Sequence, residues 1–399
     1  MRGQDLLAVL RGGDVGPQVF HPTFLKEVPA NKVREIADSM RAQYGQPIKI
    51  IRTDRKNAHQ ASIYVEYERA TARLDVTLSD GTEGSRVTGL FISDIQLKGD
   101  SIDAVLRDMQ QLPGTTAIGV WRVTATGLEP LSTWNAGKMM AVGSSFKLAV
   151  LAALDADIRA GKRRWSDVVP LTHKSLPSGQ TQNWPDRAPM TLHSLATLMI
   201  SISDNSATDT LLHYLGRAHV DGFLKQNRIV SELRHPTLST LEAFVLKEPG
   251  QAALRRQWDT GDYASRVKLL QENQQLWSLG SIKAAMMAGK PQSIATVEWF
   301  YSAEEMAHLL QWLSVNGSPE ALAIMAINPG IAPSQRSDWE YAGYKGGSET
   351  GVIAMNYLLT DQRGQKFAVS AAWNNSAAAV ADDTFFQLVG RVTSLLIKR

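Results

Sequence analysis

The chain reads as an α+β protein: an antiparallel sheet flanked by helices, preceded by a small α+β domain. Three patterns predict this. Strand-like segments stand near residue 120 and return after residue 340, with helical periodicity filling most of the interval. A sheet built from both ends of the chain, with helices laid on it, is how such segments bury their apolar faces. A separate set of strand-like segments behind one helix occupies the region up to residue 97, and Lys98-Gly99-Asp100 reads as a junction. The expected division is residues 1–97 and 98–399.

In the front domain, Asn31 is the expected cap of a helix whose apolar positions Val33, Ile36, Ala37, Met40 and Tyr44 follow the 3.6 period, and Gly45 ends it. Strands are expected at Ile48–Ile51, Ala61–Tyr67, Ala70–Leu78 and Val87–Ile95, with Asp80-Gly81 as a tight-turn signal. One helix against an antiparallel sheet resembles a cystatin-like or NTF2-like domain. In the second domain a helix is expected from Ser101 through Met109, then strands at Thr116–Val123 and Pro130–Trp134. A long helix is expected to start near Ser144 and run through Ala160. Leu192, Leu195, Leu198, Met199 and Ile202 form the apolar set of another helix, and helical segments dominate from Thr191 to Trp312. Strands return at Tyr341–Lys345, Val352–Leu359 and Phe367–Trp373, and a last helix is expected from Asp383 to Ile397.

Composition excludes several kinds of protein. The 399 residues are 44% hydrophobic, ample for a buried core. With 42 Lys+Arg against 39 Asp+Glu the net charge is only +3, without the concentrated basic face of a nucleic-acid binder. There is no cysteine, which removes disulfides, thiol catalysis and thiolate metal sites together. No apolar run approaches the roughly 20 residues that cross a bilayer. G-x-S-x-G, H-E-x-x-H and G-x-x-x-x-G-K-[ST] are all missing. Of the eight histidines, His173, His193 and His213 fall near the expected cleft and read as structural groups.

Three short motifs carry chemistry. Ser144 and Lys147 match S-x-x-K, and a separation of three places both on one helix face. Unpaired N–H groups in the first turn favour developing negative charge at Ser144. A serine needs a base beside it, and a lysine serves once burial or a neighbouring cation lowers its pKa. The run Leu148–Leu154 supplies an apolar wall for that. Ser203-Asp204-Asn205 connects two apolar-faced helices, where it reads either as plain capping or as a rigid polar elbow. Lys345-Gly346-Gly347-Ser348 lies on a late strand. Its glycines mark either a β-bulge or a place where something approaches the backbone closely.

Taken in order, S-x-x-K, S-D-N and K-[T/S]-G form a set that resembles the signature of class A β-lactamases and penicillin-binding proteins over residues 98 to 399. With its extra front domain, the chain looks most like the two-domain β-lactamase-like protein of clavulanic-acid gene clusters. The resemblance implies a serine hydrolase acting on a small molecule: a β-lactam, an ester or a short peptide. Ser144 would be the nucleophile, Lys147 its base and Ser203 the proton relay. Asn205, Lys345, Gly347 and Ser348 would bind substrate, with the N–H groups of Ser144 and Ser348 as oxyanion hole. No metal or organic cofactor is implied, and the periplasm or cell exterior is the family compartment. A D,D-peptidase, or a sensor that is acylated without turnover, would use the same residues.

The chain departs from that pattern twice. The third motif is Lys-Gly-Gly, without the usual hydroxyl at its second position. E-x-x-L-N, whose glutamate hydrolyses the acyl-enzyme through a water in class A enzymes, does not occur. Glu242, on an amphipathic helix, is expected to pair or cap. Loss of the base would spare acylation and slow the second step, which favours esters or slow β-lactam turnover.

Overall fold

The computed structural model describes residues 2–80, 85–282 and 289–397. Gly81 of the expected Asp80-Gly81 turn lies outside them. The chain forms two compact units, Met1–Ser101 with Ala332–Ser334, and Ile102–Ile331 with Gln335–Arg399.

The first unit carries four consecutive antiparallel strands, β1 (Pro47–Arg55), β2 (Gln60–Tyr67), β3 (Ala70–Leu78) and β4 (Val87–Leu97), hydrogen-bonded in that order. The alternation in β3 buries Ala70, Ala72, Leu74 and Val76, which pack with Val33, Ala37 and Met40 of the Ala30–Tyr44 helix. That helix starts one residue ahead of Asn31, the expected cap. Pro29 stands at the N-cap, and Ile36 is exposed. Gly3–Leu10 forms a helix that sequence reading did not anticipate. It is too short to be stable alone, and burial of Leu6, Leu7, Val9 and Leu10 holds it in place.

The second unit is built on β5 (Thr115–Val123), β6 (Leu128–Trp134), β11 (Trp339–Glu349), β12 (Val352–Asp361) and β13 (Lys366–Asn374). They pair antiparallel in the order β11-β12-β13-β5-β6, so both ends of this region meet in one sheet. Two-stranded pairs join β7 (Met140–Ala141) to β10 (Phe300–Tyr301), and β8 (Val168–Pro170) to β9 (Pro189–Thr191). One face of the sheet packs on the helices Ile102–Gln110 and Asp382–Ile397 through Met109, Val369, Trp373, Phe385 and Val389. The other face meets a larger apolar cluster that runs through the helices Lys147–Arg159, Leu192–Ser201, Asn205–Leu215 and Ala303–Asn316. The Lys147–Arg159 helix is buried on nearly every side, so it is a fixed post at the centre of the fold. The architecture is an α+β fold with a helix-flanked sheet. Among the described residues no helix is long and apolar enough to cross a membrane.

Candidate active site

Ser144 does not open the long helix, as the sequence suggested. It lies in a 3₁₀ turn, Gly143–Phe146, and Lys147 is the first residue of the α-helix behind it. Side chains three apart eclipse in a 3₁₀ turn, so the S-x-x-K spacing still sets both on one face. The turn is forced by close packing. Gly143 has φ 50°, a left-handed conformation, and a Cβ there would sit 3.2 Å from the Ser348 nitrogen. A Cβ on Gly347 would fall 2.2 Å from the Val142 oxygen and 2.4 Å from the Ser144 nitrogen. Strand β11 therefore presses its bare backbone against the turn and brings the Ser144 and Ser348 nitrogens to the same spot. No β-bulge lies there, because Gly346, Gly347 and Ser348 pair in regular register with Met355, Ala354 and Ile353.

Two asparagines that sequence reading passed over hold the turn in place. Asn356 on β12 donates from Nδ2 to Ser145 Oγ at 2.9 Å and accepts from Ser370 Oγ at 2.7 Å, all buried. Asn374 on β13 accepts from the Ala141 nitrogen at 2.8 Å and donates to the Ala141 oxygen at 2.9 Å. Phe146 stacks flat on Trp299 with ring centres 4.1 Å apart. The nucleophile candidate is thus tied to three strands before any substrate arrives.

Ser203 has φ 58°, in the left-handed region, between the helices Leu192–Ser201 and Asn205–Leu215. Asp204 makes that conformation hold. Its buried carboxylate accepts from the Gln180, Thr181 and Ala207 nitrogens at 2.8, 2.9 and 2.9 Å and from Thr181 Oγ1 at 2.6 Å. Asp204 supplies the cap that the capping reading expects, and Ser203 and Asn205 face the Lys147 amine. Ile202, expected on the buried stripe, is 44% exposed because the helix ends at Ser201 and turns it outward.

The buried Lys147 amine reaches Ser203 O at 2.7 Å, Ser203 Oγ at 3.0 Å and Asn205 Oδ1 at 2.6 Å. Asn205 Nδ2 donates to Leu176 O at 2.9 Å, so both ends of this side chain are engaged. From the opposite wall, the buried Lys345 amine also reaches Ser203 Oγ at 3.0 Å. Burial, and then the Lys345 charge, hold the Lys147 amine well below its ordinary value, against the opposing pull of Asp209 and Asp204. Burial alone pushes Lys345 down to about 7. Ser144, Ser203, Asn205, Lys345, Gly347 and Ser348 line one cavity of about 500 Å³, with Lys147 buried behind it.

The histidines expected near this cleft do not line it. His173 and His213 stack on each other, ring centres 3.8 Å apart, beside a different cavity. Glu242 does cap and pair: it completes a capping box with Ser239 and meets Arg217 at 2.5 Å. Among the described residues no group of three or more histidines or carboxylates could hold a metal ion.

A five-stranded antiparallel sheet flanked by helices, with the Ser144 turn packed on its last strands, resembles the β-lactamase and transpeptidase class of α+β fold. The chain belongs to the β-lactamase enzyme family, whose model matches residues 100–395. A β-lactamase from Sphaerobacter thermophilus is similar in structure, with 20% identity over 74% of this chain and 95% of that one and a TM-score of 0.51. A variant of the last common ancestor of Gram-negative class A β-lactamases aligns at 17% identity over 75% of this chain and 98% of that one, TM-score 0.52. A PBP-A variant in acyl-enzyme complex with penicillin G aligns at 13% over 75% and 96%, TM-score 0.51. At these identities the likeness is one of fold. Among curated proteins none matches the chain.

Proposed function

We propose that the chain is a serine hydrolase that works through an acyl-enzyme on Ser144 and hydrolyses carboxylic esters, β-lactam amides or both, with no metal or organic cofactor. One observation carries the reading. The Ser203 hydroxyl stands 3.0 Å from each of two buried amines, in the cavity onto which Ser144 opens. In this scheme Lys147, neutral, accepts the Ser144 proton as the oxygen attacks the carbonyl carbon. The N–H groups of Ser144 and Ser348 stabilise the oxyanion, each worth ~3 kcal/mol. Ser203 passes the proton to the leaving group, and Lys345 and Asn205 hold substrate and relay in place.

Two features favour esters. Gly346 offers no hydroxyl to a β-lactam carboxylate. The Thr240–Lys247 helix, whose first N–H groups are held by the Asp209 carboxylate at 2.7 and 3.0 Å, turns Thr240 and Phe244 to the cavity, and E-x-x-L-N is missing from the sequence. Within the family we place the chain nearest the two-domain protein of clavulanic-acid gene clusters, and read its first unit as cystatin-like or NTF2-like, on the strength of one long helix before a four-stranded antiparallel sheet. Export from the cytoplasm is the companion proposal and rests on the family resemblance.

The test is a pair of initial rates, wild type against Ser144→Ala, on a chromogenic cephalosporin and on a p-nitrophenyl ester. Ester cleavage lost in the variant supports the esterase, and cephalosporin cleavage lost in the variant supports the β-lactamase. Cleavage that survives Ser144→Ala refutes both. If neither compound is cleaved, a D-Ala-D-Ala peptide assay and a one-equivalent acylation assay decide between peptidase and sensor.

A further inference from the structure

The cavity holds a second charged cluster that no motif announces. Lys247 ends the Thr240–Lys247 helix with its side chain only 4% exposed. Its amine meets Glu298 Oε1 at 2.5 Å and both carboxylate oxygens of Glu349 at 2.6 Å. Two carboxylates share one buried ammonium, so with both ionised the cluster would carry an uncompensated negative charge, which burial disfavours. Glu298 and Glu349 are the only carboxylates among the described residues that line the cavity. The two differ in access: the Glu298 side chain is fully buried, whereas that of Glu349 is 21% exposed.

The strand sets the distance. Side chains at positions two apart share a face, so Lys345, Gly347 and Glu349 form one row on β11. A Cβ on Gly347 would fall 2.4 Å from the Ser144 nitrogen, and Glu349 is the next position in that row, its Cα roughly 7 Å along. Ser144 and Glu349 line the same cavity, so the carboxylate and an acyl group on Ser144 would open on one space, as a base acting through one water requires.

We propose that Glu349 is the general base that activates the water releasing the acyl group from Ser144, with Lys247 and Glu298 as positioning residues. The inference rests on the acyl-enzyme reading above. In the step, Glu349 takes one proton from water as the water oxygen bonds to the acyl carbonyl carbon. Collapse of the tetrahedral adduct breaks the carbon bond to Ser144 Oγ, and the proton held by Glu349 passes to that oxygen. The products are the free acid and the free serine. Lys247 on its helix and Glu298 ahead of β10 act on Glu349 directly, and Lys345 and Lys290 line the same cavity. Burial, and then the Glu298 charge, push the Glu349 carboxyl up to about 8, which makes it a stronger base than an ordinary carboxylate.

The experiment is burst kinetics with p-nitrophenyl acetate, with intact-mass detection of the acyl-enzyme, on wild type, Glu349→Gln and Glu349→Asp. Glu349→Gln is expected to keep a Ser144-dependent burst of one equivalent, lose ~100-fold or more in the steady rate, and accumulate acylated protein. Glu349→Asp is expected to recover part of the steady rate. The wild-type deacylation rate is expected to rise with pH with a midpoint near 8. A Glu349→Gln steady rate within threefold of wild type overturns the assignment and leaves the acyl-enzyme reading standing. If Glu349→Gln is not folded, Glu349→Ala is measured in its place, and a steady rate within threefold of wild type overturns the assignment. Wild type that never acylates overturns both.

Discussion

Replacing Gly347 with alanine tests whether the bare backbone of β11 sets the oxyanion hole. The added methyl would lie 2.2 Å from the Val142 oxygen, 2.4 Å from the Ser144 nitrogen and 2.7 Å from the Ser145 nitrogen, all backbone atoms that no side-chain rotation can clear. Ordinary contact starts near 3.4 Å, so strand and turn must part by about 1 Å. The register that pairs Gly347 with Ala354 and Ser348 with Ile353 resists that movement from the other side. Overpacking of this kind costs ~1–3 kcal/mol of stability. The larger effect falls on catalysis, because a 1 Å displacement of positioned donors costs ~100-fold and loss of one oxyanion donor ~100- to 1,000-fold. The assay is kcat/KM on the p-nitrophenyl ester beside a thermal melt. A variant that melts within a few degrees of wild type and loses at least 100-fold in kcat/KM supports the geometry. Folded Gly347→Ala within threefold of wild type refutes the claim that the Ser144 and Ser348 N–H groups form the hole.

Further outcomes follow from the same contacts. Asp204→Ala removes the acceptor of four hydrogen bonds and is expected to cost ~3 kcal/mol or more by denaturant melt, with activity falling because the Ser203 conformation loses its support. Ser203→Ala leaves two buried amines without the hydroxyl between them, and a ~100-fold or larger fall in the acylation rate is expected by stopped flow. Gly390→Ala, within the Asp382–Ile397 helix and with open space around the new methyl, is expected to raise stability by ~0.5–1 kcal/mol by melt with an unchanged ester rate.

Most of the sheet and the order of the motifs were legible in the sequence because both rest on local pattern. Alternation in Ala70–Leu78 and continuous apolar runs at Val352 and Phe367 are one-dimensional signals, and the strands formed where they stood. Ser144, Lys147, Ser203 and Lys345 were legible as residues but not as geometry. The 3₁₀ turn under Ser144 comes from the pressure of Gly347, 203 positions along the chain by subtraction of residue numbers, and periodicity carries no trace of it. Ile202 was misplaced because the 3.6 period was carried one residue past the end of its helix. Asn356 and Asn374 sit inside strands where single asparagines look incidental. The Lys247, Glu298 and Glu349 cluster joins segments 51 and 102 residues apart, so only the folded chain assembles it.

The hydrogen bonds around Ser203 decide which lysine is neutral. Lys147 and Lys345 each stand 3.0 Å from Ser203 Oγ, so their nitrogens are at most about 6 Å apart. Two ammonium ions at that distance repel by ~3 kcal/mol at an effective dielectric of about 20, roughly a hundredfold in proton affinity. Burial of both adds to that cost, so one amine gives up its proton. A neutral lysine has two N–H donors and one lone pair. Lys147 has two carbonyl acceptors, Ser203 O and Asn205 Oδ1, and one hydroxyl, so a neutral amine matches its surroundings group for group. Lys345, next to the Gly346 carbonyl and Ser203 Oγ, has acceptors on both sides and carries its charge below about pH 7. In the proposed scheme the proton that Lys147 takes from Ser144 then passes on through the Ser203 hydroxyl, with Lys345 charged on the far side. Lys345→Met removes the repelling cation, so the Lys147 amine should hold its proton to higher pH. The acid limb of the acylation profile is expected to move up by as much as ~2 pH units, the pH equivalent of that repulsion, while the rate on the high-pH side falls less than the rate at pH 6. The check is the acylation rate of wild type and variant by stopped flow from pH 5 to 10. An acid limb that stays where wild type has it would mean that Lys147 is not the base, and the transfer from Ser144 to Lys147 would have to be abandoned.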